Sequence, residues 1–255
     1  MKPTTILGWD AAWTPTGSGA WCVVDFEPEG SGLLRMLETT PRESGASLTS
    51  LNRLLDHYNP EVVAVDLPLS LDPVRGYREA DRETTRAFSK YGCPVHSPTR
   101  SRPGEWGDAC MEVFASHGYS LKTELPVGAR ALLEVYPHTV ALYILRASYR
   151  IPYKVQRAGR YYPNRVPLER KRRVAADVCR LRETLGEVVR DLPSRLSVEP
   201  GMRLPKWKGV EDQVDALLCA VAGKAALSGS FHPFGNSRAA VWNPHPDCLP
   251  PAEKA

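Results

Sequence analysis

The sequence has no long apolar run. No stretch approaches the roughly 18 consecutive apolar residues that a membrane-spanning helix requires. Residues 1–13 also lack a basic region followed by a long apolar stretch, which a secretory signal would show. We therefore expect a cytoplasmic protein with no membrane partner.

Closely spaced cysteines are also absent. The six cysteines are scattered, and no two form the C-x-x-C pair that zinc knuckles and redox sites use. The nearest metal-like spacing is Cys93 to His96, in a proline-rich loop that offers no second pair. We therefore expect buried thiols rather than a structural zinc site.

The composition is that of an ordinary globular protein. Of the 255 residues, 42% are hydrophobic and 24% are charged, and the net charge is +4. The length allows one large domain or two small ones. Because we find no internal repeat and no domain boundary, we expect a single domain over residues 1–255.

Hydrophobic periodicity predicts a mixed α/β fold. Alternating apolar side chains predict three strands joined by tight turns, at Thr4–Asp10, Ala20–Phe26 and Leu33–Thr39. Leucines at helical spacing predict a helix over Ser47–Tyr58, and the apolar run within Glu61–Pro68 predicts a buried parallel strand. We expect an antiparallel meander followed by a crossover helix and a central strand.

The rest of the chain is predicted to complete a five-stranded mixed sheet flanked by helices. Weak periodicity over residues 70–130 indicates an insertion around a long proline-rich loop, Tyr91–Gly104. A second buried strand begins at Ala131, and the last helix covers Gly209–Ala226. Proline and glycine predict an irregular tail from about residue 229. The two helices of the insertion are expected at about Tyr77–Phe88 and Asp108–Ser116.

Acidic residues follow three of the apolar runs. Asp10, Asp66 and Glu134 each come directly after such a run. A buried charge is costly unless it is compensated, and the carboxyl ends of central strands in an open α/β sheet form the crevice where ligands bind. The last helix adds Asp212 and Asp215, which helical spacing places at the edge of its apolar face. We expect these acids to converge.

Converging carboxylates repel one another, and a divalent cation is the simplest way to neutralise them. Oxygen ligands suit Mg²⁺ or Mn²⁺, and paired ions can activate water and stabilise the oxygen that leaves a phosphodiester. We predict hydrolysis of nucleic acid, with Asp10, Asp66, Glu134 and Asp215 as catalytic carboxylates. The predicted metal ligands are Asp10, Asp66, Asp212 and Asp215. The alternatives are contacts with turn amides for Asp10 and Asp66, a salt bridge for Glu134 and a helix-dipole contact for Asp212.

Five short motifs occur in a fixed order between about residues 5 and 228. They are Gly8-Trp9-Asp10-Ala11-Ala12-Trp13, Val65-Asp66-Leu67-Pro68-Leu69, Arg78-x-x-Asp81-Arg82, Glu134-Val135-Tyr136-Pro137 and Asp212-x-x-Asp215-Ala216-Leu217. Together they resemble the DUF429-type family of predicted RNase H-like nucleases. The resemblance implies an RNase H-like fold and a metal-dependent nuclease. Its acids match Asp10, Asp66 and Asp215, with Glu134 and Asp212 in accessory positions.

Basic residues concentrate between Arg146 and Arg182, with tyrosines among them. Such a segment attracts polyanions, and aromatic rings beside cations suit stacking on unpaired bases. The alternative is a solvated helix face with a basic loop. From this segment we take Lys154, Arg172 and Arg173 as candidate substrate-binding residues, with DNA or RNA as the partner.

Further candidates come from the inserted segment and the second buried strand. Arg78 and Arg82 lie on one helical stripe, where pairing with neighbouring acids is the default. An arginine directed into the crevice would instead hold a scissile phosphate through two N–H groups, and we choose Arg78 for this role with Arg82 beside it. His96 and His138 are candidates for proton transfer, with a structural or exposed position as the alternative.

Two other functions are compatible with the predicted strand order. A phosphotransferase of the actin or sugar-kinase type would cradle ATP phosphate at Gly17 and Gly19. Such enzymes resemble two copies of the fold, whereas 255 residues have room for one. A noncatalytic nucleic-acid-binding or scaffold protein would keep the fold without the chemistry, and the retained acidic positions argue against it.

Overall fold

A nine-stranded mixed β-sheet forms the centre of the computed structural model, which describes residues 2–41 and 46–253. The strands are β1 (Thr4–Asp10), β2 (Ala20–Phe26), β3 (Gly32–Thr39), β4 (Val62–Val65), β5 (Ser120–Leu121), β6 (Ala131–Val135), β7 (Val189–Arg190), β8 (Phe231–Asn236) and β9 (Ala239–Pro244). Their order is β7-β3-β2-β1-β4-β6-β9-β8, and β5 pairs with the beginning of β6. Strands β1, β4, β6 and β9 are parallel, whereas β2 is antiparallel to both β1 and β3. The carboxyl ends of β1, β4 and β6 therefore meet at one edge of the sheet.

Helices cover both faces of this sheet. They are α1 (Ala46–Tyr58), α2 (Glu79–Phe88), α3 (Glu105–Ser116), α4 (Pro137–Ile144), α5 (Ala158–Tyr161), α6 (Pro167–Val188) and α7 (Leu204–Leu227). Ile6 and its alternate neighbours pack with α4, α6 and α7, whereas Leu7 and its alternate neighbours pack with α1 and α3. The period-two pattern in the sequence therefore separates two cores. No helix in these described ranges combines the length and apolar character that a membrane crossing requires.

Helix α7 lies unusually close to β1 at Gly8. A Cβ atom on Gly8 would lie 2.2 Å from the carbonyl oxygen of Ala216 and 2.7 Å from the backbone nitrogen of Ala220. Only glycine permits this approach, because any side chain would collide with helix backbone rather than with a movable side chain. The contact brings the buried acids of α7 to the end of β1.

The main elements agree with the sequence predictions. The three antiparallel strands, the crossover helix and the two buried parallel strands form as expected, and the predicted mixed α/β class is confirmed. The helices of the inserted segment also form, although the second begins at Glu105 rather than near Asp108. The assignment of the whole chain to one domain stays a prediction.

The predicted irregular tail is wrong. Residues 231–244 form the hairpin β8 and β9, and β9 adds to the sheet beside β6. Trp242 is fully buried, and its indole N–H donates to the carbonyl oxygen of Lys122 at 2.8 Å. Burial of the apolar run from Ala239 to Trp242 outweighs the local turn preference of the surrounding prolines and glycines. This hairpin, with β5 and β7, raises the strand count above the predicted five.

Candidate active site

A pocket of about 570 Å³ opens at the carboxyl ends of β1, β4 and β6. Four of the predicted acids line it: Asp10, Asp66, Glu134 and Asp215. The long proline-rich loop from Tyr91 to Gly104 contributes further lining residues. The predicted convergence of acids at one sheet edge is therefore what the structure shows.

Asp10 and Asp66 occupy equivalent positions on neighbouring strands. Asp10 is the last residue of β1, and Asp66 directly follows β4, where its N–H donates to the carbonyl oxygen of Trp9 at 2.9 Å. Both side chains are half-buried, and within residues 2–41 and 46–253 neither carboxylate accepts a hydrogen bond or forms an ion pair. Among the described residues these two carboxylates therefore do not bind turn amides, which was the structural alternative for both.

Burial and neighbouring charge raise the pKa values of both aspartates. Burial, followed by repulsion from Asp215, raises the pKa of Asp66 to about 8. Burial, followed by repulsion from Asp215 and Asp212, raises the pKa of Asp10 well above its usual range. The ammonium groups of Lys154 and Lys208 oppose these shifts without cancelling them. The site thus carries more negative charge than its lysines neutralise.

Helix α7 supplies the remaining aspartates, and both are buried. Asp215 accepts a hydrogen bond from the Tyr153 hydroxyl at 2.7 Å through Oδ1 and pairs with Lys154 through Oδ2. Asp212 is fully buried, pairs with Lys208 through Oδ1, and leaves Oδ2 without a partner. Lys154, predicted to bind substrate, is thus an internal partner of Asp215 while lining the pocket.

Arg78 has a different role from the predicted one. Its Nε and Nη2 donate to Asp81, its Nη1 and Nη2 donate to Glu134 at 2.7 and 2.6 Å, and Nη1 also donates to the Leu69 carbonyl oxygen. All five guanidinium N–H groups are thereby used inside the protein. Arg78 therefore positions Glu134 and cannot also hold a scissile phosphate, which corrects the sequence prediction.

The other predicted substrate-binding arginines lie outside the pocket. Arg82 on α2 is exposed and pairs with Glu79. Arg172 and Arg173 are exposed on α6, where Arg173 pairs with Glu169 and lies over the Tyr162 ring. Local acids therefore neutralise Arg82 and Arg173. A role for any of the three in substrate binding stays a prediction.

Sequence reasoning did not select three pocket residues. Arg102, Arg150 and Arg157 line the cavity together with His96 and His138. Arg150 and Arg157 belong to the basic segment, but nothing in their spacing distinguishes them from its exposed arginines. The sequence signal for Arg102 was its place in the long proline-rich loop, Tyr91–Gly104.

The donor set fits a divalent cation in part. Its members are carboxylate oxygens, the ligands that Mg²⁺ and Mn²⁺ prefer. Among the described residues, Asp10 and Asp66 have uncommitted carboxylates, which a cation bound between them would neutralise, and Oδ2 of Asp212 is buried without a partner. In the part of the chain that is described, no group of three or more His, Cys, Asp or Glu side chains is arranged to hold a metal ion. The fit therefore rests on Asp10 and Asp66.

The raised pKa of Asp66 predicts how stability changes with pH in metal-free buffer. Because the pKa is about 8 in the folded protein against an ordinary 3.8, folding takes up a proton between these values, and stability falls as pH rises through that range. Asp66→Asn removes this loss. Near pH 8 we expect the melting temperature of Asp66→Asn to exceed that of the parent, by about 2–4 °C for each kcal/mol of unfolding free energy gained. The two melting temperatures should converge as the pH falls.

Differential scanning calorimetry with a chelator present measures this difference, and Asp72→Asn is the matched control. Asp72 is exposed and pairs with Arg238, which lowers the pKa of the Asp72 carboxyl. Its contribution to stability is therefore present at pH values above the ordinary aspartate pKa and is lost as the pH falls below it. The control is expected to show no gain at high pH. A lower melting temperature for Asp66→Asn than for the parent near pH 8 would contradict the charge excess.

Comparison with known proteins identifies the family. The family described as protein of unknown function (DUF429) matches residues 8–239. RuvC from Thermus thermophilus in complex with a Holliday junction substrate is 13% identical, with 93% of this chain and 99% of that chain covered and a TM-score of 0.41. A second RuvC structure from Thermus thermophilus is 14% identical with the same coverage and a TM-score of 0.42. No curated protein sequence matches.

The family match extends over all five motifs, from the strand that carries Asp10 to the helix that carries Asp215. The order β3-β2-β1-β4-β6, with only β2 reversed, agrees with the RNase H-like class expected from the resemblance. The resemblance predicted from the motifs is confirmed, and the chain belongs to the DUF429 family, with an RNase H-like fold.

Proposed function

We propose that this protein is a divalent-metal-dependent nuclease that hydrolyses phosphodiester bonds of nucleic acid. The observation that carries the proposal is the pair Asp10 and Asp66. Both are half-buried at the ends of adjacent parallel strands and have raised pKa values, and their carboxylates form no hydrogen bond or ion pair with the described residues. Such a pair is costly in the folded protein unless a cation binds it.

Asp10 and Asp66 would hold Mg²⁺ or Mn²⁺, and Asp212 and Asp215 are the further candidate ligands. When bound, the ion supplies Lewis-acid activation of water and stabilisation of the leaving oxygen. Tyr153 and Lys154 fix the orientation of Asp215 by binding one carboxylate oxygen each.

Glu134 is an accessory carboxylate in this proposal. Arg78 and the Leu69 N–H, at 2.8 Å, hold it in place, and its charge contributes to raising the pKa of Asp66. It therefore strengthens the negative field at Asp66 while keeping a fixed position of its own.

Isothermal titration calorimetry with Mn²⁺ tests the proposal. We expect the parent to bind the ion and Asp10→Asn to bind it at least about tenfold more weakly, because a ligand is lost at unchanged shape. Asp72→Asn, which removes an exposed carboxylate outside the pocket, is expected to bind like the parent. Absence of Mn²⁺ binding by the parent, or equal binding by Asp10→Asn, would contradict the metal site. Binding of ATP in place of Mn²⁺ would favour the phosphotransferase.

A further inference from the structure

One wall of the pocket is built from two chain segments, the 91–104 loop and the basic segment, which contact each other at Arg150. The backbone N–H of Arg150 donates to the Tyr91 carbonyl oxygen at 2.8 Å, and its Nη1 donates to the Gly92 carbonyl oxygen at 3.3 Å. Gly92 has φ +73°, and a Cβ there would lie 2.6 Å from Cζ of Tyr149, so glycine is required for this contact. The joint holds the 91–104 loop against the basic segment.

Arginines of this wall have no acidic partner. Nη2 of Arg150 donates to Nε2 of His138 at 2.5 Å, and Nη2 of Arg157 donates to Nε2 of His96 at 2.7 Å. Nε of Arg150 is buried without a partner. Across residues 2–41 and 46–253, neither Arg150 nor Arg157 forms an ion pair with a carboxylate, unlike the exposed Arg75, which pairs with Asp108.

The two histidines contact the arginines as neutral rings. Burial, followed by the charges of Arg150 and Lys154, lowers the pKa of His138 well below its usual range. Burial, followed by the charges of Arg157 and Arg150, lowers the pKa of His96. Neutral imidazoles orient the guanidinium groups through their acceptor nitrogens but do not neutralise them. The Nδ1 atom of His138 is buried without a partner and adds a further unused polar group to the wall.

Acids of the pocket do not provide the missing counter-charge. Asp215 pairs with Lys154, Asp212 with Lys208, and Glu134 with Arg78, so three of the acids already have cations of their own. Arg150 and Arg157 are half-buried, and the planar N–H groups of a guanidinium match phosphate oxygens. Asp10 and Asp66, which line the same pocket, form no ion pair with them within the described residues, so an anionic ligand that enters the pocket would supply a direct counter-charge.

We propose that Arg150 and Arg157, oriented by His138 and His96, form a subsite that binds a phosphate group of a nucleic-acid strand adjacent to the phosphate at the acids. This inference rests on the proposed nuclease function. The cavity of about 570 Å³ that the arginines and the acids both line has the size of a small-molecule site, which gives room for a nucleotide.

Fluorescence anisotropy with a short labelled single-stranded DNA, measured with a chelator over a range of salt concentrations, tests the subsite without requiring cleavage. We expect Arg157→Gln to weaken binding about tenfold, because a charge-assisted contact with phosphate is lost. The slope of log affinity against log salt should fall by about 0.7, the value for one phosphate contact on a single strand. Arg157→Lys should restore most of the slope. A role that is only structural would leave the slope unchanged.

Arg190→Gln is the matched control, because it removes the same charge from an exposed position at the end of β7 outside the pocket. It is expected to keep parental affinity and slope. Equal losses in Arg157→Gln and Arg190→Gln would overturn the subsite in favour of general charge attraction. Competition by inorganic phosphate tests whether the arginines bind a free phosphate ion or a phosphate of the nucleic-acid strand. If binding of inorganic phosphate depends on Arg157 while binding of DNA does not, the nucleic-acid subsite is wrong.

The outcome is separable from that of the nuclease proposal. Loss of affinity and slope in Arg157→Gln supports the subsite even if the parent cleaves no substrate. Cleavage by the parent with unchanged DNA binding by Arg157→Gln contradicts the subsite and leaves the nuclease proposal standing. Arg150→Gln provides an independent second variant, whose half-buried side chain makes a thermal melt the necessary check of folding.

Discussion

Asp66→Asn is expected to reduce Mn²⁺-dependent cleavage of nucleic acid by more than about a hundredfold. Loss of a direct metal ligand lowers activity more than loss of a residue that only contacts a ligand, which costs about 10–100-fold. The substitution removes one charge and keeps the side-chain shape. The Asp66 carboxylate also has no hydrogen bond or ion pair among the described residues that an asparagine would break. The folded structure is therefore expected to persist, so the loss reports on chemistry. Cleavage of single-stranded, duplex and branched substrates with Mn²⁺ or a chelator provides the measurement.

Asp72→Asn again provides the control, with parental cleavage expected, because Asp72 is an exposed carboxylate paired with Arg238. Parental rates in Asp66→Asn would show that any cleavage does not use the proposed site. Failure of the parent to cleave all three substrates would favour the noncatalytic nucleic-acid-binding or scaffold function.

Gly8→Ala is expected to destabilise the protein by about 3 kcal/mol or more, at the upper end of the cost of overpacking a core. The new Cβ would lie 2.2 Å from the carbonyl oxygen of Ala216 and 2.7 Å from the backbone nitrogen of Ala220, both in the backbone of α7. Rotation of a side chain cannot relieve such a collision, so α7 must shift. Because α7 carries Asp212 and Asp215, the same substitution is expected to weaken Mn²⁺ binding. Urea unfolding and calorimetry measure the two effects.

Gly186→Ala on α6 is the matched control for this substitution. Nothing lies within 4 Å of the position of its added Cβ, so the change acts only on helix propensity and chain entropy. It is expected to stabilise the protein by about 0.4–1 kcal/mol. A free energy of unfolding for Gly8→Ala equal to that of the parent would show that α7 does not approach β1 as closely as described.

Strand-end acids were predictable because their signal is local. An apolar run that ends in a carboxylate places that carboxylate at the end of a buried strand, and this reasoning located Asp10 and Asp66 before any fold was known. Helical spacing likewise located Asp215 on the face of α7 that approaches the sheet. The hairpin of β8 and β9 was missed because its strands gain stability from pairing with a distant strand, while their own prolines and glycines indicate a turn.

Partners of the polar side chains were not predictable. Arg78 has a sequence pattern that suits phosphate binding, but Glu134, 56 positions away, uses its donors. Tyr153 and Asp215 are 62 positions apart in the sequence, and Arg157 and His96 are 61 positions apart. Two arginines of the same basic segment, Arg157 and Arg172, therefore have different surroundings, because only Arg157 lines the pocket.

The amino-acid sequence alone determined the α/β class, the family resemblance and the acids at the strand ends. Each of these depends on residues that are neighbours along a strand or a helix turn. Tertiary structure alone decided which carboxylates stay uncommitted, which arginines are neutralised and which face the pocket. Charge pairing acts over a few ångströms in space, and only the folded chain brings the partners within that distance.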